Sequence, residues 1–153
     1  AMEYLPDYEL HLLSGIKEPR RQALMELIPA GAKIVFHNGV SDQEYEQLLS
    51  ECTALVTLSR EEGYGLPLVE AMSMGTPVVV TDMPIFREVA EEAALYASPD
   101  DAPGFAEQVR TLADPATWKE FSQRAVQRAE HYSWERSAQQ LLELAKYASD
   151  HRK

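Results

Sequence analysis

The sequence predicts an α/β protein with a Rossmann-like, three-layer parallel sheet, followed by a C-terminal part made of helices alone. Short apolar segments rich in β-branched residues alternate with amphipathic segments before Asp101. Turn and cap residues separate these segments. From Asp101 onward only the helical period of apolar residues remains. The chain has 153 residues, 45% of them hydrophobic, so one domain is expected over residues 1–153.

Five segments are predicted to be strands. In the first, residues 8–15, Tyr8, Leu10 and Leu12 alternate ahead of a glycine turn. The third, residues 53–59, is a nearly continuous apolar run, which is typical of a strand covered on both faces. The other three lie at residues 32–39, 76–82 and 94–98. Because helices are predicted between them, the strands are expected to be parallel.

Helices are predicted from apolar periodicity and from start signals. Ser41 and Glu44 form a capping box ahead of one helix, and Pro19 fits the first turn of an earlier one. Asp114 and Ser133 mark joints between the C-terminal helices. The side chains expected to face the interior are Ala23, Leu24, Leu27 and Ile28; Tyr45, Leu48 and Leu49; Phe105, Val109 and Leu112; Trp118, Phe121 and Ala125; and Trp134, Ala138, Leu141, Leu142 and Ala145.

Charge and composition argue against several classes of partner. The 25 acidic and 14 basic residues give a net charge of -11, which opposes attraction to nucleic acid or anionic lipid. Cys52 is the only cysteine, and no apolar run approaches the roughly 20 residues that span a bilayer. We therefore expect a cytoplasmic protein, with attachment to a membrane surface left open for the full-length protein. The four histidines and Cys52 lack metal-ligand spacing, so no metal or other cofactor is expected.

The segment EEGYGLPLVEAM, residues 61–72, carries the strongest functional signal. It follows a predicted strand, and ligands bind at the carboxyl ends of strands in open α/β sheets. Pro67 fits the first helical position, which would make Leu66 an N-cap without a side-chain oxygen and leave first-turn N–H groups available to an anion. Gly63 and Gly65 allow unusual backbone conformations and close approach of a ligand. The segment is thus a candidate anion cradle, and an ordinary strand-to-helix turn is the alternative.

Two carboxylates flank this candidate cradle. Glu62 precedes the turn and Glu70 lies about one turn into the helix, so both can face the same ligand. An ionised carboxylate accepts two hydrogen bonds, which suits the neighbouring hydroxyls of a ribose or hexose. The alternatives are a solvated loop charge for Glu62 and a favourable helix-dipole partner for Glu70.

The longer stretch SREEGYGLPLVEAMSMGTPVVVTD resembles the signature of the large group-1 (GT4) family of retaining GT-B glycosyltransferases. That signature places two glutamates around a Gly-Phe/Tyr-Gly-Leu-Pro core. The segments NGVSDQEYEQLLSECTALVTLS, MPIFREVAEEAALYASPDD and YSWERSAQQLLELAKYA also resemble the family in order and spacing. The resemblance covers about residues 7–148. It implies the C-terminal, donor-binding half of a GT-B fold.

The resemblance also implies roles for single residues. Glu70 would bind the ribose of a nucleotide-sugar, and Glu62 would contact the transferred sugar as the candidate catalytic residue. The backbone around Gly63, including the amides of Tyr64, Gly65 and Leu66, would hold the diphosphate. The turn at Gly39 and Val40 would pass near the base. Amides and basic side chains, rather than a metal, would stabilise the leaving diphosphate, and the anomeric configuration would be retained.

Parts of the family pattern have no counterpart in this sequence. The family's first strand, its loop with a diphosphate-binding arginine and lysine, and the N-terminal acceptor domain are all expected to be absent. Lys17, Arg20 and Arg21 do not take over those roles and are predicted to be solvated, while a surface or structural role is expected for Arg60 and Arg87. The chain alone is therefore expected to be inactive, and an uncovered sheet position is expected to drive self-association.

Three functions remain open at this level. The first is the donor-binding part of a glycosyltransferase that acts on a glycan, lipid or small-molecule acceptor. The second is a fragment of a GT-B hydrolase or epimerase that acts on a nucleotide-sugar. The third is a non-catalytic GT-B-like subunit that contributes an interaction surface. The sequence does not identify the sugar, the base or the acceptor.

Overall fold

The structure is a computed structural model that describes residues 1–151. Residues 152 and 153, at the end of the predicted domain, lie outside the described part. All five predicted strands are present, each shorter than its apolar segment. They are β1 (Glu9–Leu13), β2 (Lys33–His37), β3 (Leu55–Thr57), β4 (Val78–Thr81) and β5 (Ala94–Ala97).

Within the described residues, seven α-helices connect or follow the strands. They are α1 (Glu18–Met25), α2 (Asp42–Glu51), α3 (Leu66–Ser73), α4 (Pro84–Ala90), α5 (Ala102–Thr111), α6 (Pro115–Ala129) and α7 (Trp134–Asp150). Short 3-10 helices lie at Met2–Tyr4 and Glu91–Ala93. None of the helices within residues 1–151 is long and apolar enough to cross a membrane.

The strands pair in parallel, as predicted, but they form two sheets rather than one. β1 pairs with β2, and β4 lies between β3 and β5. In the described residues β1 and β3 each have one strand partner, so no strand joins the two sheets. The α/β class with parallel strands and C-terminal helices is confirmed.

The three-layer arrangement is clearest around β4, because successive side chains of a strand point to opposite faces. Val78 and Val80 pack in one core cluster with residues of α3, α4 and α6. Val79 lies in the other cluster with Phe105 of α5 and Leu5 of the N-terminal segment. All three valines are 0% exposed. Helices therefore cover both faces of this sheet.

Local signals place α2 against this core. Ser41 Oγ accepts the Glu44 N–H, and the Ser41 N–H donates to Glu44 Oε2 at 2.8 Å, which confirms the predicted capping box. At the other end of the helix, the buried Thr76 Oγ1 donates to the Leu49 carbonyl at 2.7 Å. Leu49 is itself 3% exposed. The helix is thus fixed at both ends.

Two predicted apolar faces are not buried. No residue of α1 is buried, and Leu27, which follows the end of that helix, is 76% exposed. No residue of α7 is buried either, and Trp134, Leu141 and Leu142 are exposed. Helical periodicity identifies the face of a helix that suits burial, whereas burial itself requires a neighbour on that face. β3, expected to be covered on both faces, is half-buried.

Candidate functional site

The loop between β3 and α3 carries the glycine motif at the carboxyl end of β3. α3 begins at Leu66, so the N-cap is Gly65 and Pro67 is the second helical residue. The prediction that Leu66 is the N-cap was wrong by one position, because proline also fits the second helical position, whose N–H has no partner within the helix. The predicted lack of a side-chain cap still holds, because the side chains of this segment make no hydrogen bond to the first turn. Pro67 has no N–H and the Leu68 N–H donates to the Gly65 carbonyl at 2.9 Å, so the Leu66 N–H is the first-turn donor that can bind an acceptor.

Gly65 is required by both its conformation and its surroundings. Its φ of 87° lies in the left-handed region, which residues other than glycine rarely adopt. A Cβ atom at this position would lie 2.9 Å from Cε1 of Phe86, a residue of α4 that is 1% exposed. Gly63 differs, because its φ is not positive and a Cβ atom added there would meet nothing within 4 Å. The unusual backbone conformation expected at both glycines is therefore confirmed at Gly65 and wrong at Gly63, while close approach of a ligand at either stays a prediction.

Glu62 lies in the exposed part of the loop. Its Oε1 accepts the Gly63 N–H at 3.2 Å, which leaves Oε2 available. The same loop is held to the β5–α5 connection by Arg60, whose Nη1 donates to Asp100 Oδ2 at 3.1 Å. This ion pair is exposed and contributes little energy, but it gives Arg60 the structural role that the sequence predicted.

Glu70 lies in the second turn of α3 and is exposed. Its Oε2 accepts a hydrogen bond from Tyr45 Oη at 2.9 Å. Tyr45 belongs to the first turns of α2 and is half-buried. Burial, followed by the hydrogen bond to Glu70, raises the pKa of the Tyr45 hydroxyl far above its usual range, so the hydroxyl is a permanent donor. Tyr45 was predicted to face the interior, but its hydrogen bond to Glu70 was not predicted.

Tyr64 contributes an aromatic edge to the motif. It is 43% exposed and meets the Tyr132 ring edge to face, with a centroid distance of 6.1 Å. Tyr132 Oη in turn donates to the Val89 carbonyl at 3.0 Å, and Arg128 Nε donates to the same carbonyl at 2.8 Å. The end of α6 therefore holds the end of α4 beneath the motif.

The predicted base-binding turn follows β2. Gly39 has a φ of 80°, and Val40 is half-buried. The turn leads directly into α2, the helix whose Tyr45 contacts Glu70. Beside it, a cavity of about 250 Å³ opens at the carboxyl ends of β1 and β2. Its walls include Ser14, Lys17, Arg21, Phe36, His37 and Asn38.

The basic side chains near these turns have protein partners or face solvent. Arg87 forms two hydrogen bonds with Asp82, at 2.8 and 2.9 Å, and its guanidinium lies 3.6 Å from the Tyr96 ring centroid. The ion pair lowers the pKa of Asp82. Lys17, Arg20 and Arg21 are exposed, as predicted.

Two histidines that are distant in the sequence meet across the smaller sheet. His11 Nδ1 and His37 Nε2 are 2.9 Å apart, and His11 Nε2 is 2.9 Å from Glu9 Oε1. Within residues 1–151, no three His, Cys, Asp or Glu side chains form a group able to hold a metal ion. The expectation that the reaction uses no metal stays a prediction.

The chain belongs to the family described as Glycosyl transferases group 1, which matches residues 5–132. It is 41% identical over 80 residues to the O-antigen chain mannosyltransferase RfbU of Salmonella typhimurium, covering 52% of this chain and 23% of that protein. It is 30% identical over 114 residues to O-antigen chain mannosyltransferase B of Escherichia coli, covering 72% of this chain and 30% of that protein. The matched regions thus span less than a third of these relatives.

Solved structures agree on the fold. Sucrose-phosphate synthase from Thermosynechococcus elongatus superposes with a TM-score of 0.84 at 24% identity, covering 97% of this chain and 41% of that chain. WaaG, a glycosyltransferase involved in lipopolysaccharide biosynthesis, gives a TM-score of 0.69 at 19% identity, covering 86% of this chain and 38% of that chain. The predicted membership of the group-1 glycosyltransferase family is confirmed, and these structures agree with the predicted GT-B-type fold.

Proposed function

We propose that this chain is the donor-binding part of a retaining glycosyltransferase, and that the full-length protein moves a sugar from a nucleotide-sugar to an acceptor. The observation that carries the proposal is the arrangement of Glu62 and Glu70 on either side of a left-handed Gly65 at an uncapped helix start. Backbone N–H groups that can donate to an anion and carboxylates that can accept from hydroxyl groups thereby lie in one short segment.

The chemistry divides among these groups. The backbone amides of Tyr64, Gly65 and Leu66 would bind the diphosphate of the donor and stabilise its charge as the glycosidic bond breaks. Glu70 would accept hydrogen bonds from the ribose hydroxyls, and Glu62 would hold hydroxyls of the transferred sugar through its available oxygen. Because Gly65 and Phe86 fix the turn, its backbone amides are positioned before the donor arrives.

The relatives favour mannose as the sugar. RfbU and mannosyltransferase B are both named as mannosyltransferases, and an enzyme of Xanthomonas oryzae pv. oryzae, 32% identical over 83 residues, is named for GDP-mannose. We therefore propose GDP-mannose as the first donor to test. The acceptor is proposed only as a glycan, lipid or small molecule.

Conservative substitutions in the full-length protein separate the two glutamates. Glu70→Gln should weaken binding of free nucleoside diphosphate by roughly ten- to a hundred-fold, because a charged hydrogen bond contributes about 1.5–3 kcal/mol. Glu62→Gln should leave that affinity nearly unchanged and lower kcat with the intact donor, because its partner is the transferred sugar. Calorimetry with GDP and steady-state kinetics with GDP-mannose measure the two effects.

Glu61→Gln is the matched control, because Glu61 is an exposed neighbour in the same loop. It should change neither the affinity for free nucleoside diphosphate nor kcat with the intact donor. Equal small effects of all three substitutions would contradict the proposal and favour a solvated loop with a helix-dipole partner. Hydrolysis or epimerisation of the donor without transfer would favour the second function, and binding to a partner protein without donor turnover would favour the interaction subunit.

A further inference from the structure

The hydrogen bond between Tyr45 and Glu70 joins two helices that are separated by 25 residues in the sequence. It ends on the carboxylate proposed to bind ribose. Glu70 is exposed, and an unrestrained glutamate side chain samples several rotamers that binding must reduce to one. A partner that holds Glu70 before the ligand arrives would remove part of that entropy cost.

Tyr45 is well placed to be this partner because its own position is fixed. Its ring packs against the core cluster that contains Leu49, and its helix is fixed by the Ser41 capping box and by the bond from Thr76 to Leu49. A tyrosine side chain has only two main torsions, so its hydroxyl moves little once the ring is packed. The rigid member of the pair is therefore Tyr45, and the adaptable member is Glu70.

The contact also leaves Glu70 able to bind a ligand. A carboxylate offers about four lone-pair sites, and the tyrosine hydroxyl occupies one of them on Oε2. Oε1 and the second site on Oε2 can still accept two hydroxyl groups. In addition, α2 begins just after Gly39 and Val40, so the bond ties Glu70 to the helix that follows the predicted base-binding turn.

We propose that Tyr45 is a positioning residue, which acts through Glu70 to present its carboxylate to the ribose hydroxyls of the donor. The inference rests on the proposed function of Glu70. Tyr45 contacts the carboxylate and not the reacting atoms, so its loss should affect binding of the nucleotide more than turnover of the bound donor.

The test uses the full-length protein and whichever of GDP, UDP and ADP the unmodified protein binds most tightly. Tyr45→Phe should weaken binding about three- to tenfold, as expected for loss of one hydrogen bond, and should raise KM with little change in kcat. In a Glu70→Ala background the same substitution should have no further effect, because the residue through which Tyr45 acts is gone. Binding of the corresponding 2′,3′-dideoxynucleoside diphosphate should not respond to Tyr45→Phe.

Tyr96→Phe is the matched control, because Tyr96 Oη also donates within the fold, to the Glu91 carbonyl at 2.7 Å and more weakly to the Phe86 carbonyl at 3.2 Å, and does not contact Glu70. It should leave nucleotide affinity unchanged. Three results would overturn the inference while Glu70→Ala still weakens binding: no effect of Tyr45→Phe, equal effects on ribose and dideoxyribose nucleotides, or tighter binding. Absence of binding by all three nucleotides, or an inert Glu70→Ala, would instead overturn the proposed function, and the inference with it.

Discussion

The two sheets of this protein are built from similar apolar segments, but they differ in how well they are covered. The central residues of β4 are inaccessible to solvent and are packed by helices on both faces. The central residues of β1 and β2 are only half-buried, and α1, which connects these strands, has no buried residue. This difference shows that the composition of a strand indicates how much of it could be buried. The helices that pack against the strand determine how much of it is buried.

The same difference separates the two turns that are proposed to bind the donor. Gly65 lies against the buried Phe86, in the loop that follows β3 of the well-packed sheet. Gly39 follows β2 and has open space around it. We therefore expect the proposed diphosphate-binding turn to be rigid and the proposed base-binding turn to be more adaptable, and the contrast can be tested by substitution.

The largest expected difference comes from removing one phenylalanine from each region. Phe105 is 5% exposed in the core beside β4, so Phe105→Ala should lower the free energy of unfolding by about 3–5 kcal/mol. Phe36 of β2 is half-buried, with the Arg21 guanidinium 5.2 Å from its ring centroid. Phe36→Ala should cost about 1–2 kcal/mol. Urea unfolding followed by circular dichroism measures both. Equal losses would mean that the two sheets are equally packed in solution.

A smaller difference is expected at the two turn glycines. Gly65 and Gly39 both have positive φ, so alanine at either position introduces backbone strain of about 1–2 kcal/mol. Only Gly65→Ala also pushes a Cβ against Phe86, which should bring its total cost to about 2–4 kcal/mol. The same unfolding measurement compares them. If Gly39→Ala proves the more costly change, the turn after β2 must be more tightly packed than its surroundings indicate.

The smallest expected effect concerns pH. Hydrogen bonds from Ser41 lower the pKa of Glu44 at the start of α2, and hydrogen bonds from Thr117 lower the pKa of Asp114 at the start of α6. A lowered pKa in the folded state gives stability that is present above the unfolded value, about 4, and lost as pH falls through the folded value. Glu44→Gln and Asp114→Asn should each make the decrease in thermal stability below about pH 5 less steep.

Thermal midpoints between about pH 6 and pH 3 provide the measurement. Both substitutions should act on one shared transition, because Leu49 and Thr76 tie α2 into the core that also contains α6. Two resolved transitions, each changed by one substitution, would show that α2 and α6 unfold independently.

Features that depend on neighbouring residues in the chain could be predicted from the sequence. The capping box predicted at Ser41 is present, and the joints predicted at Asp114 and Ser133 are N-caps in the structure. In all three, the side chain accepts the N–H of the residue three positions ahead. The glycine motif was placed correctly after β3 because strand, turn and helix signals follow one another directly. The order of strands and helices follows from the same local rules.

Features that depend on distant parts of the chain could not be predicted. The partner of Glu70 lies 25 residues away, and no periodicity connects the two positions. The burial of α1 and α7 depends on which elements pack against them, which their own residues do not specify. The N-cap at Gly65 was missed because proline fits two adjacent helical positions.

The exposed last helix has a consequence for how stability is distributed along the chain. The helical hydrogen bonds of α7 are supported by no buried side chain, whereas those of α3 and α5 lie beside the core. Opening α7 therefore exposes little additional apolar surface, and its amide hydrogens should exchange with deuterated solvent through local opening alone. Those of β4 can exchange only when the surrounding core unfolds. The boundary between fast and slow exchange should fall close to Ser133, where α6 gives way to the last helix.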